Sequence, residues 1–246
     1  MKIIIVRHGD PDYEIDGLTE KGKREVEFLA DKLCKENITK VYCSPLGRAK
    51  LTAEPTLKRL GIEAEYHDWL REFTYATVKV PYLEKRRCAW DLLPEFVNSV
   101  PDIYSNEKWL TCDFIKNSTV PQEYEHICTE FDKILLKHGY RRDGYNYVAE
   151  RPNHDVLVFV CHFGLMGILL SHIMNCSPYT IWQNFCSAPS ATTTVYTEER
   201  MEGKVSLRAQ TLGDLSHLYV KGEEPSFAAR YKECFTDGIN NYKNLT

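Results

Sequence analysis

The sequence predicts an α/β fold, namely a three-layer α/β/α sandwich with a mostly parallel central sheet and an inserted lid subdomain. Two observations predict the sandwich. Short β-branched runs end abruptly in polar residues, as do strands that are buried on both faces of a parallel sheet, and segments with helical periodicity alternate with these runs. A third observation predicts the insertion, because the alternation stops between residue 73 and about residue 122.

Two of the predicted strands end in a histidine. Lys2 to Val6 is the first strand, and Arg7 and His8 follow it directly. Val156 to Cys161 is the clearest later strand, and His162 follows it. Ligands of an open α/β sheet gather at the carboxyl ends of its strands. We therefore expect these polar side chains to lie at one edge of the sheet.

Two helices are predicted near these strand ends. Thr19 is a candidate N-cap for the first helix, whose apolar residues recur at helical spacing. Ser44 followed by Pro45 predicts the start of the second helix, with proline at the first helical position, where its missing N–H is tolerated. Arg48 would then lie in the first turn. A cation there is unfavourable against the helix dipole unless it binds an anion, which makes Arg48 a candidate anion ligand.

The middle of the chain is predicted to be an inserted lid or substrate-specificity region, residues 73–153, within one domain of residues 1–246. Its first part is rich in proline and aromatic residues without sustained periodicity. A helix then ends at Gly139, and Arg141 to Asn153 is predicted to be a polar loop.

The last part of the chain is predicted to be less regular. Thr193 to Thr197 and Val205 to Ala209 are predicted to pair as antiparallel strands through a charged turn. The tail from Lys221 to Thr246 is polar, so we expect it to be peripheral.

Composition excludes several partner classes. The chain has 31 Lys and Arg against 35 Asp and Glu, a net charge of −4, so no overall positive field attracts nucleic acid. No apolar stretch is long enough for a membrane span. Nine scattered cysteines without a CxxC pair argue against a disulfide framework and a zinc ribbon, and favour the reducing cytoplasm. We expect no metal or cofactor, and either a monomer or a homodimer.

The four candidate site residues suit one kind of ligand. Arg7, His8, Arg48 and His162 would together form an anion pocket. Planar guanidinium groups hold the oxygens of a phosphoryl group in pairs, and a neutral imidazole is a competent nucleophile toward phosphorus.

Separated motifs resemble those of one known family, the histidine phosphatase superfamily, which is also called phosphoglycerate mutase-like. They are Arg7-His8-Gly9, Leu18-Thr19-Glu20-Lys21-Gly22, the segment from Ser44 to Ala53, and Val160-Cys161-His162-Phe163-Gly164. The resemblance covers residues 1–72 and 154 to about 218, and it leaves the insertion unexplained.

The resemblance implies a role for each matched residue. His8 would be the nucleophile that forms a phosphohistidine. Arg7, Arg48 and His162 would bind the phosphoryl group and stabilise its charge in the transition state. The backbone N–H of Phe163, at a strand-to-helix junction, would add a further contact.

A leaving alkoxide also needs a proton. In the acid-phosphatase branch of the family an Asp follows the second histidine, whereas this chain has Phe163. The chain therefore resembles the other branch, whose acid is a carboxylate in the loop after the second helix. Glu72 is our candidate, with a pKa raised by burial against Phe73. Other acidic residues lie nearby, and a solvated surface charge is the alternative reading of Glu72.

The residues after the first motif differ from those of the family's mutases. Asp10-Pro11-Asp12-Tyr13 stands where the mutases have a tryptophan-asparagine pair and a long loop, which disfavours a mutase. Asp10 and Asp12 would either orient Arg7 or contact a cationic part of the substrate. The sequence thus predicts a metal-independent phosphatase that acts on small phosphomonoesters. The alternatives are a phosphoglycerate-type phosphomutase, a catalytically weak phosphate-binding protein and a protein phosphatase.

Overall fold

A computed structural model describes residues 1–228, 230–234 and 236 of the chain. Within these residues the strands are β1 (Lys2–Arg7), β2 (Pro11–Asp12), β3 (Gly17–Leu18), β4 (Lys40–Cys43), β5 (Ala64–Tyr66), β6 (Thr77–Val78), β7 (Arg87–Cys88), β8 (Tyr140–Asp143), β9 (Asn146–Ala149), β10 (Val156–Cys161), β11 (Thr192–Met201) and β12 (Lys204–Asp214). The α-helices are α1 (Glu20–Leu33), α2 (Gly47–Leu60), α3 (Pro94–Ser99), α4 (Asp113–Lys116), α5 (Val120–Lys137), α6 (Phe163–Met174), α7 (Pro178–Asn184) and α8 (Ser216–Tyr219).

Eight of these strands form the central sheet, in the order β5-β4-β10-β1-β11-β12-β9-β8. The first four strands in this order are parallel to one another, and the pairings from β1 to β8 are antiparallel. The expected α/β fold around a central sheet is confirmed. The parallel character is concentrated in the half that contains both histidine-terminated strands.

The first strand separates two layers of side chains, because successive residues of a strand point to opposite faces. Ile4 and Val6 belong to a cluster that includes Leu29 of α1 and Ala49 of α2. Ile3 and Ile5 belong to the larger cluster on the other face, which includes residues of α5, α6, α7 and the insertion. Both faces of the sheet are therefore covered, as the continuous apolar sequence of β1 predicts.

The register of two central strands aligns the predicted site. In the parallel pairing of β1 with β10, Arg7 lies opposite Cys161. His8 donates its backbone N–H to the Cys161 carbonyl at 3.0 Å. The two strands end at the same level of the sheet, so His8 and His162 lie side by side.

The helix starts agree in part with expectation. Thr19 caps α1 by accepting the Gly22 N–H at 3.0 Å, as predicted. The second helix begins at Gly47 rather than at Pro45, and its N-cap Leu46 has no side-chain cap. The prediction for Pro45 was wrong because the hydroxyl of Ser44 binds His162, at 2.8 Å, and the chain stays extended at Leu46 before the helix begins. Arg48 nevertheless lies in the first turn.

The expected polar loop at Arg141 to Asn153 is wrong. Residues of this segment form the β8–β9 hairpin, and β9 pairs with β12 at the edge of the central sheet. Tyr147 is buried and its hydroxyl donates to Asp132 at 2.6 Å, so the polar sequence conceals an anchored strand. The charged residues on the exposed face of the hairpin made the segment resemble a loop in sequence, although a short glycine turn joins two strands there.

The two final strands pair as predicted and are longer than expected, as β11 and β12. Lys221 to Thr246 extends partly outside the described residues. No helix among residues 1–228, 230–234 and 236 is long and apolar enough to cross a membrane. All nine cysteines are free thiols.

Candidate active site

His8 occupies the turn directly after β1 and is only 1% exposed. Its Nδ1 lies 2.8 Å from the Gly9 carbonyl oxygen. Because a carbonyl oxygen only accepts hydrogen bonds, Nδ1 carries the proton of the neutral ring and Nε2 holds the lone pair. The ring is thereby fixed in the tautomer that a nucleophilic imidazole requires.

The surroundings of His8 keep its ring neutral. The pKa of His8 is lowered to about 3, mainly by burial and also by the positive charges of Arg7 and Arg48. The hydrogen bond to Gly9 opposes this shift. A buried ring between two cations is disfavoured as imidazolium. The Nε2 lone pair is therefore available throughout the neutral pH range.

Arg7 is the last residue of β1 and is 2% exposed. Its Nη1 donates to the Ser187 carbonyl, and its guanidinium carbon lies 5.7 Å from the centre of the Phe163 ring. Its buried Nε has no hydrogen-bond partner among the described residues. A fixed cation with a free donor is a ready ligand for an oxyanion.

Arg48 approaches from the first turn of α2. Its Nη1 donates to Asp16 at 2.5 Å, and its guanidinium carbon lies 5.5 Å from the centre of the Tyr13 ring. Like that of Arg7, its buried Nε has no partner in the described part of the chain.

His162 is fully buried, with its ring centre 5.1 Å from that of His8. Its Nε2 lies 2.8 Å from the Ser44 hydroxyl, and that hydroxyl oxygen also accepts the Leu46 N–H. The hydroxyl proton is thus free to be donated to Nε2, which leaves Nδ1 as the N–H. Burial and the adjacent His8 and arginines lower the pKa of His162 well below its usual value.

Glu72 lies in the loop after the short 3₁₀ helix Asp68–Leu70, with its carboxyl group buried against the start of α6. Its Oε1 accepts the N–H of Phe73 at 2.8 Å and that of Leu165 at 3.3 Å. Burial raises the pKa of the Glu72 carboxyl, and both arginines and the two N–H groups oppose this rise. A carboxyl of raised pKa beside two cations suits a proton donor.

Close packing holds Glu72 in place. A Cβ atom on Gly164 would lie 2.7 Å from Glu72 Oε1 and 2.5 Å from Trp90 Nε1, so only glycine fits there. Trp90 donates its Nε1–H to the Phe73 carbonyl at 3.1 Å, and its ring centre lies 5.8 Å from that of Phe163. Trp90, from the segment predicted to be an insertion, therefore forms part of one wall of the candidate site.

Phe163 is the first residue of α6, whose N-cap is His162. The helix has no side-chain cap, so the positive end of its dipole and its first N–H groups lie beside the two histidines. The structure therefore brings together all six sequence-predicted residues: Arg7, His8, Arg48, Glu72, His162 and Phe163.

Residues 3–102 match the family model for the histidine phosphatase superfamily (branch 1). These 100 of the chain's 246 residues are thus similar to that superfamily. The matched residues include three of the candidate ligands and Glu72, and they extend into the insertion as far as residue 102.

The relatives of the chain include a probable phosphatase and a probable phosphoglycerate mutase. A probable phosphatase of Schizosaccharomyces pombe is 25% identical over 229 residues, which are 89% of this chain and 95% of that protein. A probable phosphoglycerate mutase of Photorhabdus laumondii is 33% identical over 81 residues, 29% of this chain and 38% of that protein. The chain is a phosphatase enzyme of the histidine phosphatase fold.

A solved structure has a similar fold. A phosphoserine phosphatase variant of Entamoeba histolytica in complex with phosphoserine matches with a TM-score of 0.56 and 17% identity, over 88% of this chain and 98% of that one. At this identity the likeness establishes the fold alone.

Three further residues hold the candidate site in place and were not predicted from the sequence. Asp16 binds Arg48, Ser44 binds His162, and the Thr52 hydroxyl accepts the Gly9 N–H at 2.9 Å. The spacing of Thr52 one helical turn after Arg48 was the one signal in the sequence, because a residue at that spacing shares a helix face with Arg48. Asp16 gave none, since its partner lies 32 residues away.

The hydrogen bonds of Asp10 and Asp12 do not include the predicted contact with Arg7. Asp10 accepts hydrogen bonds from the hydroxyls of Thr19 and Ser226, and Asp12 accepts the Glu14 N–H within a turn. The carboxylates thus cap local backbone and side chains, and the expected contact of either one with Arg7 is not among these bonds.

Proposed function

We propose that the protein hydrolyses small phosphomonoesters through a phosphohistidine intermediate on His8, without a metal ion. The observation that carries the proposal is the fixed tautomer of His8, whose Nδ1–H is held by the Gly9 carbonyl while Nε2 stays unprotonated. The neutral imidazole can act as a nucleophile, and the two arginines beside it are in place to bind the phosphoryl group that it would attack.

The phosphoryl group would bind among donors that lack protein partners. The Nε atoms of Arg7 and Arg48 and the Nδ1 of His162 are buried without a hydrogen-bond partner in the described residues. Phosphoryl oxygens would accept from these groups and from the N–H of Phe163. The same donors stabilise the charge of the transferring group, which is the main requirement of phosphoryl transfer.

The first step breaks the ester bond. His8 Nε2 attacks phosphorus in line, a P–N bond forms, and the bond from phosphorus to the ester oxygen breaks. Glu72 transfers its proton to that oxygen, so the product leaves as an alcohol. In the second step Glu72, now a carboxylate, accepts a proton from water while the water oxygen attacks phosphorus. The P–N bond breaks and its electron pair returns to Nε2, so inorganic phosphate forms and neutral His8 and protonated Glu72 are restored.

The insertion is proposed to set substrate choice and to cover the site. Its residue Trp90 supports this role, because the indole packs on Phe163 and against the Phe73 carbonyl next to Glu72. A covered site excludes bulk water and favours small substrates. We further propose that the enzyme works in the cytoplasm, where nine free thiols stay reduced.

The test is hydrolysis of para-nitrophenyl phosphate in excess EDTA. A rapid quench without acid then traps the phosphoenzyme. We expect turnover in the unaltered protein and none in His8→Ala. His126→Ala, which removes an exposed histidine of α5, is the matched control. No turnover and no phosphoenzyme in protein that binds phosphate would instead indicate a binding protein.

The acid is assigned by changing the leaving group. Para-nitrophenolate leaves without a proton, whereas an alkoxide does not, so Glu72→Gln should retain most turnover of the aryl ester and lose that of glycerol phosphate by about 100-fold or more. Glu125→Gln, on the exposed side of α5, is the control. Equal losses on both esters would exclude Glu72 as the acid. Release of 2-phosphoglycerate instead of phosphate from 3-phosphoglycerate would indicate a mutase.

A further inference from the structure

Asp16 occupies a strained position in the turn that connects β2 with β3. Its φ is +47°, a left-handed conformation that non-glycine residues rarely adopt and that aspartate, asparagine and glycine tolerate best. Such a conformation persists only when surrounding contacts stabilise it. The contacts of Asp16 are therefore informative.

The carboxylate of Asp16 joins this turn to the start of α2. One oxygen accepts the Gly47 N–H at 2.6 Å, and the other accepts from Arg48 Nη1 at 2.5 Å. The N-cap Leu46 supplies no side-chain cap, so Asp16 supplies it from 31 residues away. A Cβ on Gly47 would lie 2.1 Å from the Asp16 carbonyl oxygen, which shows how closely the turn and the helix approach.

The same carboxylate limits where the Arg48 side chain can point. Asp16 holds one terminal nitrogen of the guanidinium group, and the Tyr13 ring lies 5.5 Å from its carbon. The Nε is buried with no partner in the described residues. With one end fixed, the remaining donors of a planar guanidinium have a defined direction.

We propose that Asp16 is a positioning residue, which orients Arg48 so that its free donors bind the phosphoryl group in the transition state. The inference rests on the proposed function. Asp16 itself does not contact the phosphoryl group, because its two oxygens bind Gly47 and Arg48. Its negative charge also balances Arg48, a buried cation that would otherwise be solvated only by the ligand.

The experiment compares Asp16→Gly and Asp16→Asn, which both tolerate the positive φ, so neither variant strains the turn. We expect Asp16→Gly to lower kcat for para-nitrophenyl phosphate by about 10- to 100-fold with a smaller change in KM, as loss of oriented transition-state contacts predicts. Asp16→Asn keeps an acceptor for Arg48 and should recover part of kcat. The matched control is Asp31→Asn, since Asp31 pairs with Arg59 at similar exposure, 40% against 42% for Asp16.

A double-mutant cycle separates positioning from helix capping. If Asp16 acts through Arg48, adding Asp16→Gly to Arg48→Ala will lower kcat by less than 2-fold beyond Arg48→Ala alone. Multiplying losses, or a kcat of Asp16→Gly equal to that of the unaltered protein, would overturn the proposal. Inactivity of the unaltered protein would instead overturn the proposed function, and binding of orthovanadate by calorimetry would still compare Asp16→Gly with Asp31→Asn. Equal vanadate affinity of these two variants would then overturn the role of Asp16 on its own.

Discussion

The parallel half of the sheet and the inserted region hold the enzyme together in different ways. In the parallel half, the register between short apolar strands determines where each strand ends. The polar residues that follow these ends, which are the candidate ligands, therefore lie next to one another. In the insertion, two short strand pairs, the short helices α3 and α4, the 18-residue helix α5 and aromatic side chains pack together without the repeated strand–helix alternation. The positions of the candidate ligands thus depend on backbone register, whereas the position of the wall that contains Trp90 depends on side-chain packing.

The largest effect is expected from the packing of the insertion. Trp109 is 1% exposed, and its ring centre lies 4.8 Å from that of Tyr124 and 6.2 Å from that of Tyr179. Trp109→Ala should lower the free energy of unfolding by about 3–5 kcal/mol, because it leaves a large cavity. Urea unfolding followed by circular dichroism would measure the change.

The shape of that transition sharpens the comparison. Trp109 belongs to the same buried cluster as Ile3 and Phe159 of the sheet, so we expect one cooperative transition in the variant and in the unaltered protein. Two separate transitions would mean that the insertion folds independently. Tyr104→Ala, at a 42% exposed position of the insertion, is the control and should have little effect.

A smaller effect is expected where the two regions meet. Gly164→Ala would press a methyl group against Trp90 and Glu72, with contacts of 2.5 and 2.7 Å. Displacement of Glu72, the proposed acid, should lower kcat for glycerol phosphate by about 100-fold, or about 2.7 kcal/mol, and lower kcat for para-nitrophenyl phosphate much less. Gly144→Ala is the control, since its Cβ meets nothing within 4 Å in the β8–β9 turn. Both esters are measured at saturating concentration, so a difference in their binding does not affect the comparison of kcat.

The next effect concerns pH and stability in the catalytic half. Glu25 of α1 is fully buried and accepts the Asp10 N–H at 2.9 Å, and burial raises its pKa from 4.5 to about 7. Below pH 4.5 the carboxyl is protonated in the folded and unfolded chains alike. Between pH 4.5 and 7 only the unfolded chain releases the proton, so this group lowers the stability of the fold as the pH rises.

Glu25→Gln removes this dependence and keeps an acceptor for the Asp10 N–H. The variant should be more stable than the unaltered protein by about 2 kcal/mol at pH 8 and equally stable at pH 4. Urea unfolding at both pH values measures the difference. Glu54→Gln, at an exposed position of α2, should change neither value. A variant less stable at pH 8 would show that the charge of Glu25 is needed.

The smallest effect is expected in the hairpin that extends the sheet. Gly144 has a φ of +59°, so Gly144→Ala should lower the free energy of unfolding by about 1 kcal/mol and leave kcat unchanged. A loss of kcat would show that the antiparallel half transmits strain to the site.

The candidate ligands were predicted to lie at one edge of the sheet, and the structure brings them together there, because local sequence signals placed them. Each ligand stands at a strand end or a helix start, and a break from apolar to polar residues is visible in a short window, as at Val6 to Arg7. The contacts that hold those ligands were not predictable in this way. Asp16 with Arg48 and Ser44 with His162 join segments 32 and 118 residues apart.

The remaining errors have a physical origin too. The β8–β9 hairpin was missed because its exposed face carries charges, while only two buried residues, Tyr140 and Tyr147, anchor it. The start of α2 was misplaced because Ser44 binds His162 and the helix is capped from another segment by Asp16. In both cases a tertiary contact replaced the local rule.

The distance in sequence between Ser44 and His162 also bears on how the enzyme becomes active during folding. These two side chains meet 118 residues apart, across the whole insertion, and His162 faces His8 only when β1 and β10 have paired. Contacts between such distant segments form slowly, because the long loop must first close. We expect refolding from urea to regain helical circular dichroism before phosphatase activity. Appearance of activity would thus report the final closure of the central strands.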